Sequence, residues 1–78
     1  MTVSPVFAQT QNTSKTEADR LFQQGLQQLQ RGQIREAIDL FQQSLPIYQE
    51  IGDRRGEAQS LGNLGMTYTQ INQYEKAV

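Results

Sequence analysis

The chain carries carboxylate, ammonium and guanidinium groups but no imidazole and no thiol. Its 78 residues include eight Asp or Glu, seven Lys or Arg, no His and no Cys. This excludes disulfides, zinc sites with the usual ligands, thiol nucleophiles and histidine-based acid–base catalysis. The carboxylates of Glu17, Asp19, Glu36 and Asp39 remain, but helix capping and surface roles account for them. The sequence therefore predicts a protein that is not an enzyme and that holds no metal or cofactor.

The charges also argue against two classes of partner. Acidic and basic residues nearly balance, giving a net charge of −1, so no overall field attracts nucleic acid or an anionic membrane. Arg54 and Arg55 form a basic pair, but Asp53 and Glu57 flank it, which favours a solvated loop over an anion site. No apolar run approaches the ~20 residues that span a bilayer. We expect neither nucleic acid nor a membrane as partner.

Amide and apolar side chains recur at helical spacing in two parts of the chain. Gln59, Asn63, Met66 and Gln70 share one face if residues 54–71 are helical. The residues at equivalent places nearer the amino terminus are Phe22, Gln23 and Leu26. These seven residues are the candidates for a binding surface, and the helices below must position them.

The first helix is predicted to begin near Ser14. Ser14 and Glu17 have the spacing of a capping box, and residues 1–13, with Pro5 and many small polar residues, are predicted to be an unstructured leader. Gly32 is predicted to end the helix. The apolar face is Ala18, Leu21, Phe22, Gly25, Leu26 and Leu29.

Two more helices follow, and a fourth is expected to begin. The apolar spacing predicts a second helix from Gln33 to Ile51 that continues through Pro46 with a kink. Gly52 suits its end and Asp53 suits the cap of a third helix over residues 54–71. A turn is predicted at residues 72–73, followed by the first turns of a fourth helix. On the third helix we expect one packing face, formed by Leu61, Leu64, Gly65, Tyr68 and Ile71.

The sequence repeats itself after forty residues. Seven of the 22 pairs formed by residues 17–38 and 57–78 are identical, and a fixed period of this length is typical of stacked helical hairpins. The identical pairs are Glu17/Glu57, Ala18/Ala58, Leu21/Leu61, Gly25/Gly65, Gln30/Gln70, Gln33/Gln73 and Ala37/Ala77. We expect Gly25 and Gly65 at close helix crossings, opposite Ala37 and Ala77, because each glycine costs a helix roughly 1 kcal/mol.

This pattern resembles the tetratricopeptide repeat. The segment "LGNLGMTY" supplies Leu61, Leu64, Gly65 and Tyr68, and the first copy supplies Leu21, Gly25, Ala37 and Phe41 at matching distances. The forty-residue period is similar to the longer repeats of kinesin light chains, Leu-Gly-Asn proteins and bacterial tandem arrays. Departures from the pattern, which indicate a terminal repeat, are Gln24 for leucine, Gln28 for an aromatic residue, Ser44 for alanine and a missing proline.

The resemblance implies an all-α solenoid of about one and a half repeats: a first hairpin over 14–51 and a second repeat over 54–78, truncated in its second helix. It also implies a concave groove that binds a peptide or a partner protein, with Asn63 holding the peptide backbone through both donor and acceptor. The groove would be lined by Gln59, Asn63, Met66, Gln70, Phe22, Gln23 and Leu26. Alternatively, Asn63 and the glutamines are solvated surface, and Phe22 and Leu26 pack against a preceding repeat or the leader.

Two other functions stay open. The chain is either the regulatory start of a larger enzyme, such as a caspase-like peptidase or kinase, or an element that associates with itself through unburied repeat faces. The first eight residues also resemble the end of a signal peptide that has lost its start, which would place the protein in the periplasm or outside the cell. Otherwise it is expected in the cytoplasm.

Overall fold

The computed structural model describes residues 5–77, apart from the side chains of residues 5–12, Tyr74 and Ala77. Residues 1–4 and Val78 lie outside the described part, and with them half of the proposed signal-peptide remnant. Three helices occupy almost the whole described range: α1 (Pro5–Gln30), α2 (Ile34–Ile51) and α3 (Arg54–Ala77). Helix α2 packs against both α1 and α3. Within residues 5–77, no helix combines the length and apolar character that a membrane span requires.

Both helix ends predicted at glycines are confirmed. Gly32 and Gly52 have φ values of +76° and +75°, a left-handed conformation that glycine adopts without steric cost. At each end the next amide reaches back into the helix: Gln33 N to Gln28 O at 2.8 Å, and Asp53 N to Tyr48 O at 2.9 Å. These bonds satisfy carbonyl groups that would otherwise have no partner, so each helix stops and the chain reverses.

The start of the first helix differs from the prediction. Helix α1 begins at Pro5, so Ser14 lies inside it and does not cap it, and the predicted leader is helical from residue 5 onward. A proline fits the first turn of a helix because its missing N–H needs no partner there. Extending an existing helix through Ala8 and the glutamines costs little, since the nucleation cost is met by the packed part of α1.

The predicted turn at residues 72–73 is also absent, because α3 continues through Asn72 to Ala77. Residues 74–77 extend α3 instead of starting a new helix. Continuing the existing helix satisfies their backbone groups locally. The fourth helix is therefore not formed in the described residues.

Helix α2 supplies the centre of the core. Phe41 is fully buried and its ring lies 5.5 Å from that of Phe22, and α2 continues through Pro46 as predicted. The bulky core side chains come mainly from α1 and α2. The buried apolar residues are Ala18, Leu21, Phe22, Ala37, Ile38, Phe41, Tyr48 and Leu64.

The packing face of α3 is not the predicted one. Leu64 is buried and Ile71 half-buried, but Leu61 and Tyr68 are 51% and 43% exposed. Gly65 has open space on its side-chain side. The covered face of α3 packs against α2, the helix before it. The face that we predicted corresponds to the face of α1 that packs against the helix after it. The buried residues of α3 are mostly small: Gly56, Ser60, Leu64 and Thr67.

Candidate functional site

The predicted groove residues of α3 lie on one side of that helix. Met66 is 61% exposed, Gln59 and Gln70 are exposed, and Asn63 is half-buried. The Asn63 side-chain N–H donates to the backbone oxygen of Gln59 at 2.9 Å. This bond restrains the side chain of Asn63 and uses one of its two N–H groups.

The predicted residues of α1 divide into surface and core. Gln23 is exposed and Leu26 is half-buried, but Phe22 is only 8% exposed. The Phe22 ring packs against Phe41 of α2, so the prediction that Phe22 lines a groove is wrong. The reason is the angle around the helix, because Phe22 lies nearer than Leu26 to the centre of the α2 contact. The six remaining residues, called here the groove row, are Gln23, Leu26, Gln59, Asn63, Met66 and Gln70.

One member of the groove row, Gln59 of α3, lies at a cavity that residues of α1 also line. Asp19 and Gln59, one repeat period apart, line a common cavity of about 70 Å³. Asp19 is one turn before Gln23 on α1, and Gln59 is the first member of the groove row on α3. The other residues lining this cavity are Lys15, Tyr48, Asp53, Arg55 and Gly56.

A small network of charges holds this end of the molecule. Lys15 on α1 lies 2.9 Å from the Asp53 carboxylate and 3.7 Å from that of Asp19. The Tyr48 hydroxyl donates to Asp19, and the Gly56 N–H donates to Asp53 at 3.0 Å. All three helices are thus linked: α1 through Lys15 and Asp19, α2 through Tyr48, and α3 through the cap at Asp53.

The network shifts the pKa values of its members in directions that follow from these contacts. The Gly56 N–H, and after it Lys15, lower the pKa of Asp53. The hydrogen bond to Asp53 and the charge of Asp19 raise the pKa of Lys15. Burial, and then the bond to Asp19, raise the pKa of Tyr48. These shifts keep Asp53 ionised and Tyr48 neutral, as is typical of side chains that stabilise a fold.

Comparison with known families decides which fold this is. A family model described as "Tetratricopeptide repeat" matches residues 17–78. The chain belongs to the tetratricopeptide repeat family. Searches of curated proteins and of solved structures gave no match. Repeats of this family generally mediate protein–protein interaction and are typically not enzymatic.

Two close contacts of the tetratricopeptide repeat were not found from the sequence. A side chain at Gly56 would collide with the Tyr48 ring, and the Ser44 and Ser60 hydroxyls form a buried pair between α2 and α3. Comparing residues forty positions apart could not reveal either contact, because Gly56 aligns with Thr16 and Ser60 aligns with Arg20. The residue types differ because their surroundings differ. Gly56 and Ser60 of α3 are covered by α2, the helix before it, whereas Thr16 and Arg20 of α1 are exposed.

Two wider surface depressions lie away from the groove row. One, of about 590 Å³, lies between the start of α2 and the end of α3, and Arg35 and Glu75 face each other across it at 3.4 Å. The other, of about 520 Å³, lies between α1 and α2 and is lined largely by glutamines. Neither includes a residue of the groove row. Among the described residues, no group of His, Cys, Asp and Glu is arranged to hold a metal ion.

Proposed function

We propose that this tetratricopeptide repeat chain is a protein-binding module that holds a peptide segment of a partner along the groove row. The observation that carries the proposal is the cavity shared by Asp19 and Gln59. It supports the view that equivalent faces of α1 and α3 converge into one surface, as stacking of repeats requires. On α3 the groove row begins at this cavity with Gln59, and on α1 it begins one turn after Asp19, at Gln23.

The side chains of the groove row suit a peptide ligand. Gln23, Gln59, Asn63 and Gln70 present amides that both donate and accept hydrogen bonds, which is what an extended peptide backbone offers in return. Met66 supplies exposed apolar surface that adapts its shape to a ligand side chain. Because no member of the groove row is charged, we expect recognition through backbone bonds and apolar contact.

We also propose that the chain performs no catalysis by itself. The absence of His and Cys from all 78 residues supports this. So does the charge network at Lys15, Asp19, Tyr48 and Asp53, because its pairs are ordinary ion pairs and caps that stabilise the fold.

A peptide selection followed by affinity measurements tests the binding proposal. Random peptides displayed on phage are selected against the full 78-residue chain, and a selected peptide is measured by isothermal titration calorimetry. Met66→Asp places a charge against the apolar contact and is expected to weaken binding at least about tenfold, while Asn63→Ala removes one amide and is expected to weaken it about fivefold.

The matched control is Gln43→Ala, which removes an exposed amide from α2 outside the groove row. It is expected to leave the affinity unchanged. If the selected peptides bind Met66→Asp and Asn63→Ala as tightly as they bind Gln43→Ala, the groove row is not the binding surface and the proposal is wrong.

A further inference from the structure

The groove row includes one sulfur atom, the thioether of Met66, and that atom is open to solvent. The Met66 side chain is 61% exposed. Gly62 lies one turn before it on the same side of α3, and nothing lies within 4 Å of the point where a Cβ atom would be at Gly62. No side chain at that position shields the sulfur, so a small molecule in solution can reach it directly.

The position of Met66 around α3 explains this exposure. Successive residues of an α-helix point about 100° apart, so Met66 points about 120° away from Ser60 and about 140° away from Leu61. A repeat helix packs on the helix before it and on the helix after it, and Ser60 lies on the first of these sides and Leu61 on the second. Met66 lies on neither side, which leaves it facing the groove.

A thioether reacts with a hydroperoxide without help from another protein group. The sulfur attacks the terminal peroxide oxygen and bonds to it, the O–O bond breaks, and the proton moves to the oxygen that leaves as water or an alcohol. The sulfur loses two electrons and the peroxide gains them, so the product is methionine sulfoxide. Because the chain contains no cysteine, no thiol of its own competes for the oxidant.

Oxidation at Met66 changes the most exposed apolar side chain of the groove row. The other apolar member, Leu26, is half-buried. A sulfoxide is polar where the thioether is apolar, and its oxygen loses its hydrogen bonds to water when an apolar ligand side chain covers it. The fold should be unaffected, because Met66 does not belong to the core.

From this placement we infer that Met66 is a site of reversible oxidation that regulates peptide binding at the groove row. A hydroperoxide weakens binding by converting Met66 to its sulfoxide. Reduction by a dithiol restores the thioether, since the dithiol becomes a disulfide and the sulfoxide oxygen leaves as water. Because it takes the groove row as the peptide-binding surface, this role of Met66 rests on the proposed function.

A first measurement tests access to the sulfur. The full chain is treated with hydrogen peroxide, once in buffer and once in urea that unfolds it, and Met66 sulfoxide is followed by mass spectrometry of tryptic peptides. We expect the rate in the folded chain to be within about threefold of the rate in the unfolded chain, because the side chain is already exposed. A greater retardation by the fold would overturn the inference.

A second measurement tests the effect on binding. A selected peptide without Met or Cys is titrated against the untreated chain, against the oxidised chain after removal of peroxide, and against the oxidised chain repaired by methionine sulfoxide reductases for both epimers with dithiothreitol. We expect oxidation to raise the Kd at least about tenfold and repair to restore it. The circular dichroism spectrum should be the same in all three states.

Met66→Leu is the matched control, because it removes the sulfur and keeps an apolar side chain. Whatever its starting affinity, peroxide treatment should change that affinity by less than about twofold. The variant retains Met1, so it also shows any effect of oxidation there. In a further control without substitution, a half-oxidised sample of the unchanged chain is passed over immobilised peptide, and Met66 sulfoxide should accumulate in the unbound fraction.

Failure of the inference and failure of the proposed function give different results. If the peptide binds the oxidised chain as tightly as the untreated chain, or if Met66→Leu loses as much affinity under peroxide, Met66 does not regulate binding and the groove row stands as the proposed surface. If the selected peptides bind Met66→Asp and Asn63→Ala as tightly as Gln43→Ala, the proposed function is wrong, and the role of Met66 is wrong with it.

Discussion

The hydroxyl oxygens of Ser44 and Ser60 lie 3.1 Å apart, and both residues are completely buried between α2 and α3. The Ser44 hydroxyl donates to the backbone oxygen of Phe41 at 3.0 Å, so its hydrogen is already used. Ser60 must therefore be the donor of the pair and Ser44 the acceptor. Two small polar residues that satisfy each other let α3 approach α2 closely.

A larger side chain at Ser60 should therefore destabilise the fold. We expect Ser60→Leu to lower the free energy of unfolding by about 1–3 kcal/mol, since the added volume has no room and the bond to Ser44 is lost. Ala58→Leu, at an exposed position of the same helix, is the control and should change it by less than about 0.5 kcal/mol. Urea denaturation followed by circular dichroism measures both. Equal losses would mean that α3 does not pack against α2 through Ser60.

The elements of the fold were largely predictable because they depend on local chemistry. Apolar residues at intervals of three and four gave α2 almost to the residue, and Gly32, Gly52 and Asp53 marked boundaries that only backbone conformation and capping decide. The beginning of α1 and the end of α3 could not be placed this way. The sequence at these two ends is compatible with both helix and coil. The helix is extended there because adding residues to a packed helix avoids the cost of nucleating a new one.

The side of α3 that packs was harder to predict for a reason specific to repeats. Leu61, Gly65 and Tyr68 form a good apolar face, but a repeat helix has two packing faces, one for the helix before it and one for the helix after it. The sequence shows both faces, and only the structure shows that the smaller residues Ser60 and Thr67 are the covered ones.

Gly25 and Gly65 should respond in opposite directions to the same substitution. Gly25→Ala is expected to lower the free energy of unfolding by about 1–3 kcal/mol, because the new Cβ overlaps the Phe41 ring. Gly65→Ala is expected to raise it by about 0.5–1 kcal/mol, because the position is open and alanine favours the helix. Thermal and urea melts of the two variants measure the difference. A loss of stability in Gly65→Ala would restore the original prediction of a close crossing at that glycine.

The exposure of the candidate groove residues was easier to predict for some of them than for others. Phe22 and Leu26 are one turn apart and equally apolar, yet one is in the core and the other half-buried. A rotation of α1 by a few tens of degrees would exchange their roles, and periodicity alone does not fix rotation that finely. The exposure of Gln59 and Gln70 was easier to predict, because burying a large amide side chain without a hydrogen-bond partner is costly.

The cap at Asp53 predicts how stability changes in acid. The Gly56 N–H and Lys15 hold the pKa of Asp53 below its usual value in the folded chain, so the unfolded chain takes up the proton first. The stabilisation is present above the unfolded pKa of about 4 and is lost as the pH falls through the lower folded value. Urea denaturation of the unchanged chain at a series of pH values from about 6 to about 2 should show this loss, and Asp53→Asn should flatten it.

Asp39→Asn serves as the control for that experiment, because Asp39 is an exposed carboxylate on α2. It should retain the acid dependence of the unchanged chain. An acid dependence in Asp53→Asn as steep as in Asp39→Asn would contradict the role of the cap.

The raised pKa of Tyr48 predicts a second loss of stability, at alkaline pH. Burial and the bond to Asp19 raise the pKa of Tyr48 in the folded chain, so its phenol ionises first in the unfolded chain. Its contribution is complete below the unfolded pKa of about 10 and declines as the pH rises above that value. Lys15, whose pKa is also raised, weakens its contacts with Asp19 and Asp53 as it loses its charge at high pH, so the two effects add.

Tyr48→Phe separates the two contributions. It keeps the ring against Gly56 and removes the hydroxyl, which should cost about 0.5–1.5 kcal/mol at neutral pH, because a hydrogen bond is lost while Asp19 stays accessible to water. Between pH values of about 9 and about 11.5, the variant should lose stability less steeply than the unchanged chain. Tyr68→Phe, which removes the hydroxyl of an exposed tyrosine on α3, should retain the steeper loss. If both variants follow the same alkaline curve, unfolding does not change the ionisation of Tyr48, and its part-buried contact with Asp19 is not formed in solution.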